Sequence, residues 1–249
     1  MKFFSKVVII GATSVIAHNC ARILAENNTR EFVLVGRNLE KLESIKKDIQ
    51  VRGSKITSIE LKTMDFTNVE EIQKLVDEQA AVNLPDLVLI AHGYMPEQKL
   101  CQENLVLTKE ALEVNGVSPV LFAEAFAEKL QNCTKSTIAV IGSVAGDRGR
   151  MTNYVYGAGK GLIETFMQGL THRFGLKGPK ICLIKPGPTR SEMTKNIESS
   201  KLAEPIDVAN TIVKGISSGK RVIYAPTKWA LIMFVIRNIP SSIFKYIKL

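Results

Sequence analysis

Apolar and polar residues along this chain switch between two periods. Short β-branched runs recur at Lys6 to Ile10, Glu31 to Val35, Ser58 to Lys62, Leu87 to Ala91, Thr137 to Ile141, Ile181 to Ile184 and Arg221 to Tyr224, and the stretches between them carry apolar residues at helical spacing. Val7 to Ile10 and Leu87 to Ala91 are apolar at every position, as strands buried on both faces of a helix-covered parallel sheet must be. Seven strands alternating with helices predict a doubly wound α/β fold, with one seven-stranded parallel sheet and helices on both faces, in preference to an eight-stranded barrel. No Pro-, Gly- or Ser-rich linker divides the chain, so 1–249 reads as a single domain with 222–249 as its tail.

Composition narrows the classes. With 249 residues, 45% hydrophobic and 23% charged, the chain can bury roughly 70 to 75% of its unfolded surface. Its apolar runs are too short for a membrane span, and the start, Met1 to Lys6 running into Val7, is too broken for a signal peptide. Cys20, Cys101, Cys133 and Cys182 are widely spaced with no C-x-x-C, which predicts reduced core thiols in a cytoplasmic protein. His18, His92 and His172 form no cluster with cysteine, so no metal site is expected.

Charge changes the picture at one end. The net charge is +9, and beyond Asp207 no acidic side chain occurs, while Lys214, Lys220, Arg221, Lys228, Arg237, Lys245 and Lys248 do. The same tail holds Trp229, Ile239, Ile243, Phe244, Tyr246 and Ile247. Basic plus apolar suits peripheral contact of 229–249 with an anionic inner membrane face, Pro240 breaking any helix there so that the tail lies on the bilayer; a helix packed on the body with solvated lysines is the alternative. Nucleic acid is not expected as a partner, because the basic residues are not interleaved with stacking aromatics.

The first strand runs into Gly11-Ala12-Thr13-Ser14-Val15-Ile16-Ala17 and then a helical pattern. A strand, a tight turn and a helix N-terminus make a seat for a pyrophosphate, with the Thr13 and Ser14 hydroxyls at hand; a plain strand-to-helix turn looks the same. After strand two stand Gly36, Arg37 and Asn38, where an acidic residue would hold a ribose 2'-hydroxyl and a guanidinium favours a 2'-phosphate, so the turn points to NADP(H) over NAD(H). Asp65-Phe66 after strand three is placed to meet an adenine amino group or to cap the next helix, and Ala91-His92-Gly93 after strand four brings backbone toward the same ligand.

Strand five ends at Ile141-Gly142-Ser143, and Tyr156 and Lys160 follow at i and i+4 on a helical stretch, sharing a face; Tyr154 stands too far from Lys160. An ammonium beside a phenol is expected to lower the phenol's pKa toward neutrality, suiting Tyr156 to proton exchange with a carbonyl or alcohol whose oxygen Ser143 holds. Gly157-Ala158-Gly159-Lys160-Gly161 is not a phosphate loop, since that motif needs glycine where Tyr154 stands. Glycines in an opening helical turn imply close backbone approach.

In order and spacing, Ser143, Tyr156 and Lys160, Asn115 in Val114-Asn115-Gly116, Asp65 and Pro186-Gly187 resemble the short-chain dehydrogenase/reductase family over essentially the whole chain. The resemblance implies a Rossmann fold and hydride transfer with a nicotinamide. In it Tyr156 is the acid or base, Ser143 orients the reacting oxygen, Lys160 also holds the nicotinamide ribose and Asn115 supports a proton-relay water. Pro186, Gly187 and Thr189 join the cofactor contacts, and the protein is a homo-oligomer, a dimer or tetramer. Val15 and Ala17 replace the family's usual glycines, and Ile90-Ala91-His92-Gly93 its Asn-Asn-Ala-Gly. These departures and the Arg237-Asn238-Ile239-Pro240 tail are similar to the decaprenylphosphoryl 2-keto-ribose reductases, which implies a keto-sugar substrate, polyprenyl-phosphate-linked; a 3-ketoacyl or other lipid carbonyl is the second reading and an idle dinucleotide-binding scaffold the third. Ser191 to Ala203 is the expected flap over the substrate.

Overall fold

The computed structural model describes residues 3–195 and 198–247. Its elements in chain order are β1 (Lys6–Ile10), α1 (Val15–Glu26), β2 (Glu31–Gly36), α2 (Leu39–Arg52), β3 (Ser58–Thr63), α3 (Val69–Val82), β4 (Leu87–Ile90), α4 (Gln98–Glu103) and α5 (Leu105–Leu112). There follow α6 (Ser118–Leu130), β5 (Thr137–Ile141), α7 (Tyr154–Phe174), β6 (Lys180–Pro186), α8 (Pro205–Ser217), β7 (Val222–Ala225), α9 (Lys228–Asn238) and the short α10 (Ser241–Phe244). All seven strands are parallel, in the order β3-β2-β1-β4-β5-β6-β7. The expected strands differ from these by a residue or two. Ala91, for example, leaves β4, yet its N–H still donates to the Ile10 carbonyl.

The sheet is a two-sided apolar layer because the central strands are apolar throughout. Val7, Ile9, Leu34 and Leu89 face one side with Leu24, Leu42, Ile49 and Ile212; Val8, Ile10, Val88 and Val140 face the other with Phe122, Phe126, Ile163 and Met167. Each such side chain contributes about 1.5–3 kcal/mol by leaving water. Helix starts are set locally: Asn38, Asn68 and Asn104 accept from the amides of Lys41, Glu71 and Val106, and Pro119 and Pro205 sit at the first positions of α6 and α8. With Asn68 capping α3, Asp65 is free of that duty; its carboxylate accepts instead from the Thr67 N–H and hydroxyl.

Strand order reverses between β1 and β4, and the carboxyl ends there open the crevice in which doubly wound sheets bind ligands. Two features shape its floor. One is a π-turn at Glu113–Val117, which carries Asn115 inward; such turns are frequent at functional sites. The other is the packing of α7. A β-carbon on Gly157 would stand 2.9 Å from the Ala145 carbonyl oxygen, and one on Gly159 3.1 Å from Asn115 Cβ. Gly157 and Gly159 are thus required by contacts within the chain, Gly157 with the turn after β5 and Gly159 with the π-turn.

The tail both packs and leaves a face open. Met233 and Ile236 of α9 are buried with Val144, while Leu231, Phe234 and Val235 are exposed. Arg148 donates to the Ile236 and Ile239 carbonyls (2.6 Å each) and its guanidinium lies 3.7 Å from the Phe244 ring centroid, closing the end of α9. No helix among the described residues is long and apolar enough to cross a membrane. Cys20 and Cys182 are buried with thiols pushed up to about 12 by that burial, so they are packing groups with no thiolate chemistry at neutral pH. Among the described residues no three or more His, Cys, Asp or Glu side chains gather as a metal site would need.

Candidate active site

A cavity of about 300 Å³ opens at the carboxyl ends of β1, β4, β5 and β6. It collects Ser14, Ile16, Ala91, His92, Gly93, Ser143, Tyr156, Lys160, Pro186, Gly187 and Thr189 from segments scattered through the chain. Gly11, Thr13, Val15, Arg37, Asn38, Asp65, Phe66 and Asn115 lie outside its lining. Phe66 is a core residue stacked with His92 and Phe122, its ring centroid 4.7 Å from that of His92. Asn38 is occupied as the cap of α2. Asn196 and Ile197 of the expected flap lie outside the described residues, as do Lys248 and Leu249 of the tail; the rest of the flap is anchored by Thr194, whose hydroxyl donates to the Thr189 carbonyl (2.8 Å).

Tyr156 is buried on the first turn of α7, facing the Ser143 hydroxyl that ends β5. Burial raises its pKa, and the Ser143 hydroxyl opposes this only in part. The lowered phenol pKa expected from the neighbouring ammonium is therefore not met. Lys160 Nζ sits 5.8 Å from the Tyr156 ring centroid and donates to the Ile141 carbonyl (3.0 Å), while its own pKa is pushed down to about 8 by burial. Desolvation is the largest influence on both groups. At neutral pH the result is a protonated phenol beside a lysine that is still a cation.

Asn115 is wholly buried and spent on the backbone: its amide donates to the Ala111 carbonyl (2.9 Å) and its Oδ1 accepts from the Tyr94 N–H (2.9 Å). A β-carbon on Gly93, whose φ is +151°, would come within 2.8 Å of that Oδ1 and 3.4 Å of Lys160 Nζ. Gly11, at φ +79°, meets the His92 backbone equally closely. Gly11 lets the β1 turn close on the β4 turn, and Gly93 lets the β4 turn close on Asn115 and Lys160.

His92 provides a test of what fills the crevice. Its Nε2 lies 2.8 Å from Ser118 Oγ, whose only proton goes to the Phe66 carbonyl (2.5 Å), so Nε2 must be the donor and Nδ1 a bare acceptor. That Nδ1 is buried without a partner, and burial holds the ring neutral with a pKa pushed down to about 3. Alongside it, α1 begins at Ser14 with no side-chain cap bond and no acidic residue in its first turn. Arg37, exposed at the end of β2, makes no salt bridge among the described residues. An orphan acceptor, free helix amides and an unpaired guanidinium fit a dinucleotide's hydroxyls and phosphates.

Two features escaped the sequence. Lys185, the penultimate residue of β6, is buried and pairs with Asp147 and Glu164 (2.7 Å each), and Tyr224 donates to Asp147 (2.9 Å). Arg150 and Asn153 also line the cavity, beside Met193 of the expected flap. A lysine inside an otherwise apolar strand was a visible signal for the first; nothing in the spacing marked the second.

A doubly wound sheet with this crevice defines a nucleotide-dependent enzyme class. Residues 5–202 match the short chain dehydrogenase family, and the chain belongs to it; it is an NAD(P)-dependent oxidoreductase. An uncharacterized oxidoreductase of Streptomyces coelicolor is 24% identical over 238 residues, covering 96% of this chain and 94% of its own. Among solved structures, a short-chain dehydrogenase from Burkholderia cenocepacia in complex with NADP superposes with a TM-score of 0.82 at 16% identity, covering 98% of each chain. A short-chain dehydrogenase from Sphingobium yanoikuyae in complex with NADPH gives 0.79 at 19%, covering 98% of this chain and 96% of its own.

Proposed function

We propose that this chain is an NADP(H)-dependent carbonyl reductase whose favoured substrate is a keto-sugar, polyprenyl-phosphate-linked. The observation that carries the chemistry is the convergence of Ser143, Tyr156 and Lys160 on one cavity whose wall holds no carboxylate among the described residues. When bound, the reduced nicotinamide supplies the hydride. Tyr156 gives its proton to the substrate oxygen, and the burial that raises its pKa keeps that proton available at neutral pH. Ser143 holds the same oxygen, and the Lys160 cation stabilises the phenolate left behind. Asn115 acts as a positioning residue by fixing the Tyr94 and Ala111 backbone beside Gly93.

The unpaired Arg37 supports the choice of NADP(H), with the amides and hydroxyls around Gly11, Thr13, Ser14, Val15 and Ile16 receiving the pyrophosphate, Asp65 and Phe66 bordering the adenine, and Ala91, His92 and Gly93 meeting ribose. The exposed Leu231, Phe234 and Val235 beside a basic tail support a lipid-linked substrate met at an anionic membrane surface. The same apolar face favours, as a second reading, the carbonyl of a 3-ketoacyl or other lipid. Exposed Leu105 and Val106 on α5 support a homo-oligomer, dimer or tetramer.

The test is titration with NADPH and NADH, followed by turnover of a panel of keto-sugars, 3-ketoacyl thioesters and simple ketones. NADPH is expected to bind the more tightly, Arg37→Ala to cut that preference by about 10- to 100-fold, and a ketose to be reduced. Nucleotide binding with no carbonyl turned over would leave only the scaffold reading, and absence of nucleotide binding would overturn both.

A further inference from the structure

Two arginines follow β5, and the chain treats them oppositely. Arg148 is spent on the carbonyls that end α9 and on the Phe244 ring. Arg150 is half-buried in the cavity wall, with its Nε buried and unpartnered and with Met233 Sδ, 3.6 Å from Nη2, as the one side-chain hydrogen-bond partner of its guanidinium among the described residues. The nearest acidic group acting on it, Asp147, is already held by Lys185 and Tyr224. Beside it Asn153 Oδ1, another cavity residue, is also buried and unpartnered.

A guanidinium taken partly out of water with only a neutral thioether as acceptor costs free energy, since burying a charge is tolerable only when it is paired. Every other ionisable group of the cavity wall has a place in the fold or in the proposed reaction. Lys160 bonds to Ile141, His92 is neutral against Ser118, and Tyr156 faces Ser143. With no carboxylate in the wall among the described residues, the cavity carries unbalanced positive charge at its Arg150 end. Arg150 also lies where α9 meets the cavity, its guanidinium against Met233 while Leu231, Phe234 and Val235 of the same helix stand exposed outside.

We infer that Arg150 is a specificity-determining residue that receives an anionic phosphate ester of the substrate, with Asn153 accepting a neighbouring hydroxyl. The inference rests on the reductase reading for the direction in which the substrate enters, but the anion site is testable without turnover. A planar fork of donors matches a phosphate bidentately, which an ammonium does not.

The experiment is calorimetric titration of the full chain saturated with NADP+, using hexyl phosphate and 1-hexanol as matched probes. Hexyl phosphate should bind at least about 10-fold tighter than hexanol, Arg150→Met should remove about 10- to 100-fold of its affinity, and Arg150→Lys should restore part of it. For any phosphorylated ketone that is turned over, Arg150→Met should raise KM far more than it lowers kcat. Phosphatidylglycerol vesicles separate the sources of the phosphate. A saturable response to hexyl phosphate assigns a soluble ester, whereas a response to vesicles alone that Arg150→Met abolishes assigns a lipid headgroup. Equal binding of both probes, an Arg150→Met variant that binds phosphate as wild type does, or weakened NADP+ binding in that variant would overturn the assignment. If phosphate binding follows the expected pattern and no ketone is reduced, the reductase reading fails while the anion site stands.

Discussion

Two buried polar clusters lie side by side at the carboxyl edge of the sheet and are built on opposite terms. Around Lys185 every charge is answered: the ammonium, held up by Asp147 and Glu164 although burial alone would lower it, sits between two carboxylates and beneath the Tyr224 ring. Around Tyr156 the account is left open, with a lysine pushed down to about 8, a histidine with a bare Nδ1 and an arginine with a bare Nε. The difference teaches which cluster holds β5, β6, α7 and β7 together and which awaits a ligand. A closed network rigidifies; an open one leaves its binding capacity unused until something enters.

The same substitution should therefore have opposite signs in the two places. Lys185→Met strands two buried carboxylates and should cost about 3–5 kcal/mol of stability in urea denaturation, the largest effect expected here. Lys160→Met removes a poorly compensated cation and should raise stability by about 1–3 kcal/mol while abolishing turnover. The sign follows from linkage. Because the folded pKa of Lys160 is depressed from 10.5, the unfolded chain binds that proton more tightly, and the deficit is fully present below about 8. If both variants lose stability alike, the contrast between closed and open clusters is wrong.

His92 sharpens the comparison through pH. Burial, with Lys160 and Arg37 adding to it, depresses its folded pKa from 6.5 to about 3, so between those values the unfolded state takes up a proton that the folded state refuses. The Tm should fall as pH drops from 6.5 toward 4, and His92→Phe, among Phe66 and Phe122, should flatten that slope. A wild-type Tm unchanged over the range would mean the ring is solvated.

The smallest effect belongs to a third, exposed cluster. Asp48 accepts from Arg22, His18 and Arg52 on the surface between α1 and α2, and these bonds overcome its desolvation to hold it at about 2. Its contribution is present above about 3.8 and is lost as pH falls through 2, and Asp48→Asn should cost no more than about 1 kcal/mol at neutral pH, read from the urea midpoint. A larger loss would place part of the molecule's ionic stability on its surface rather than around Lys185.

The open cluster was the readable one. Ser143, Tyr156 and Lys160 reveal themselves by residue type and interval, because a helix turns i and i+4 to one face whatever surrounds it. The strands were equally plain, since burial on both faces demands unbroken apolar runs. Quantities that depend on surroundings were not. The direction of the Tyr156 shift was misjudged because burial depends on the loops that cover it, and Gly159 answers a π-turn about forty residues earlier, which spacing does not announce. Lys185 and Asp147 lie far apart in the chain, and only the register of β5 with β6 and the turn after β5 bring them together.

The most direct test of the central claim is Tyr156→Phe, compared with wild type in NADPH binding and in ketone reduction. If Tyr156 supplies the proton, the variant binds NADPH with unchanged affinity and loses about 10²- to 10⁴-fold in turnover. Reduction at the wild-type rate by a folded, NADPH-binding Tyr156→Phe protein would contradict the account.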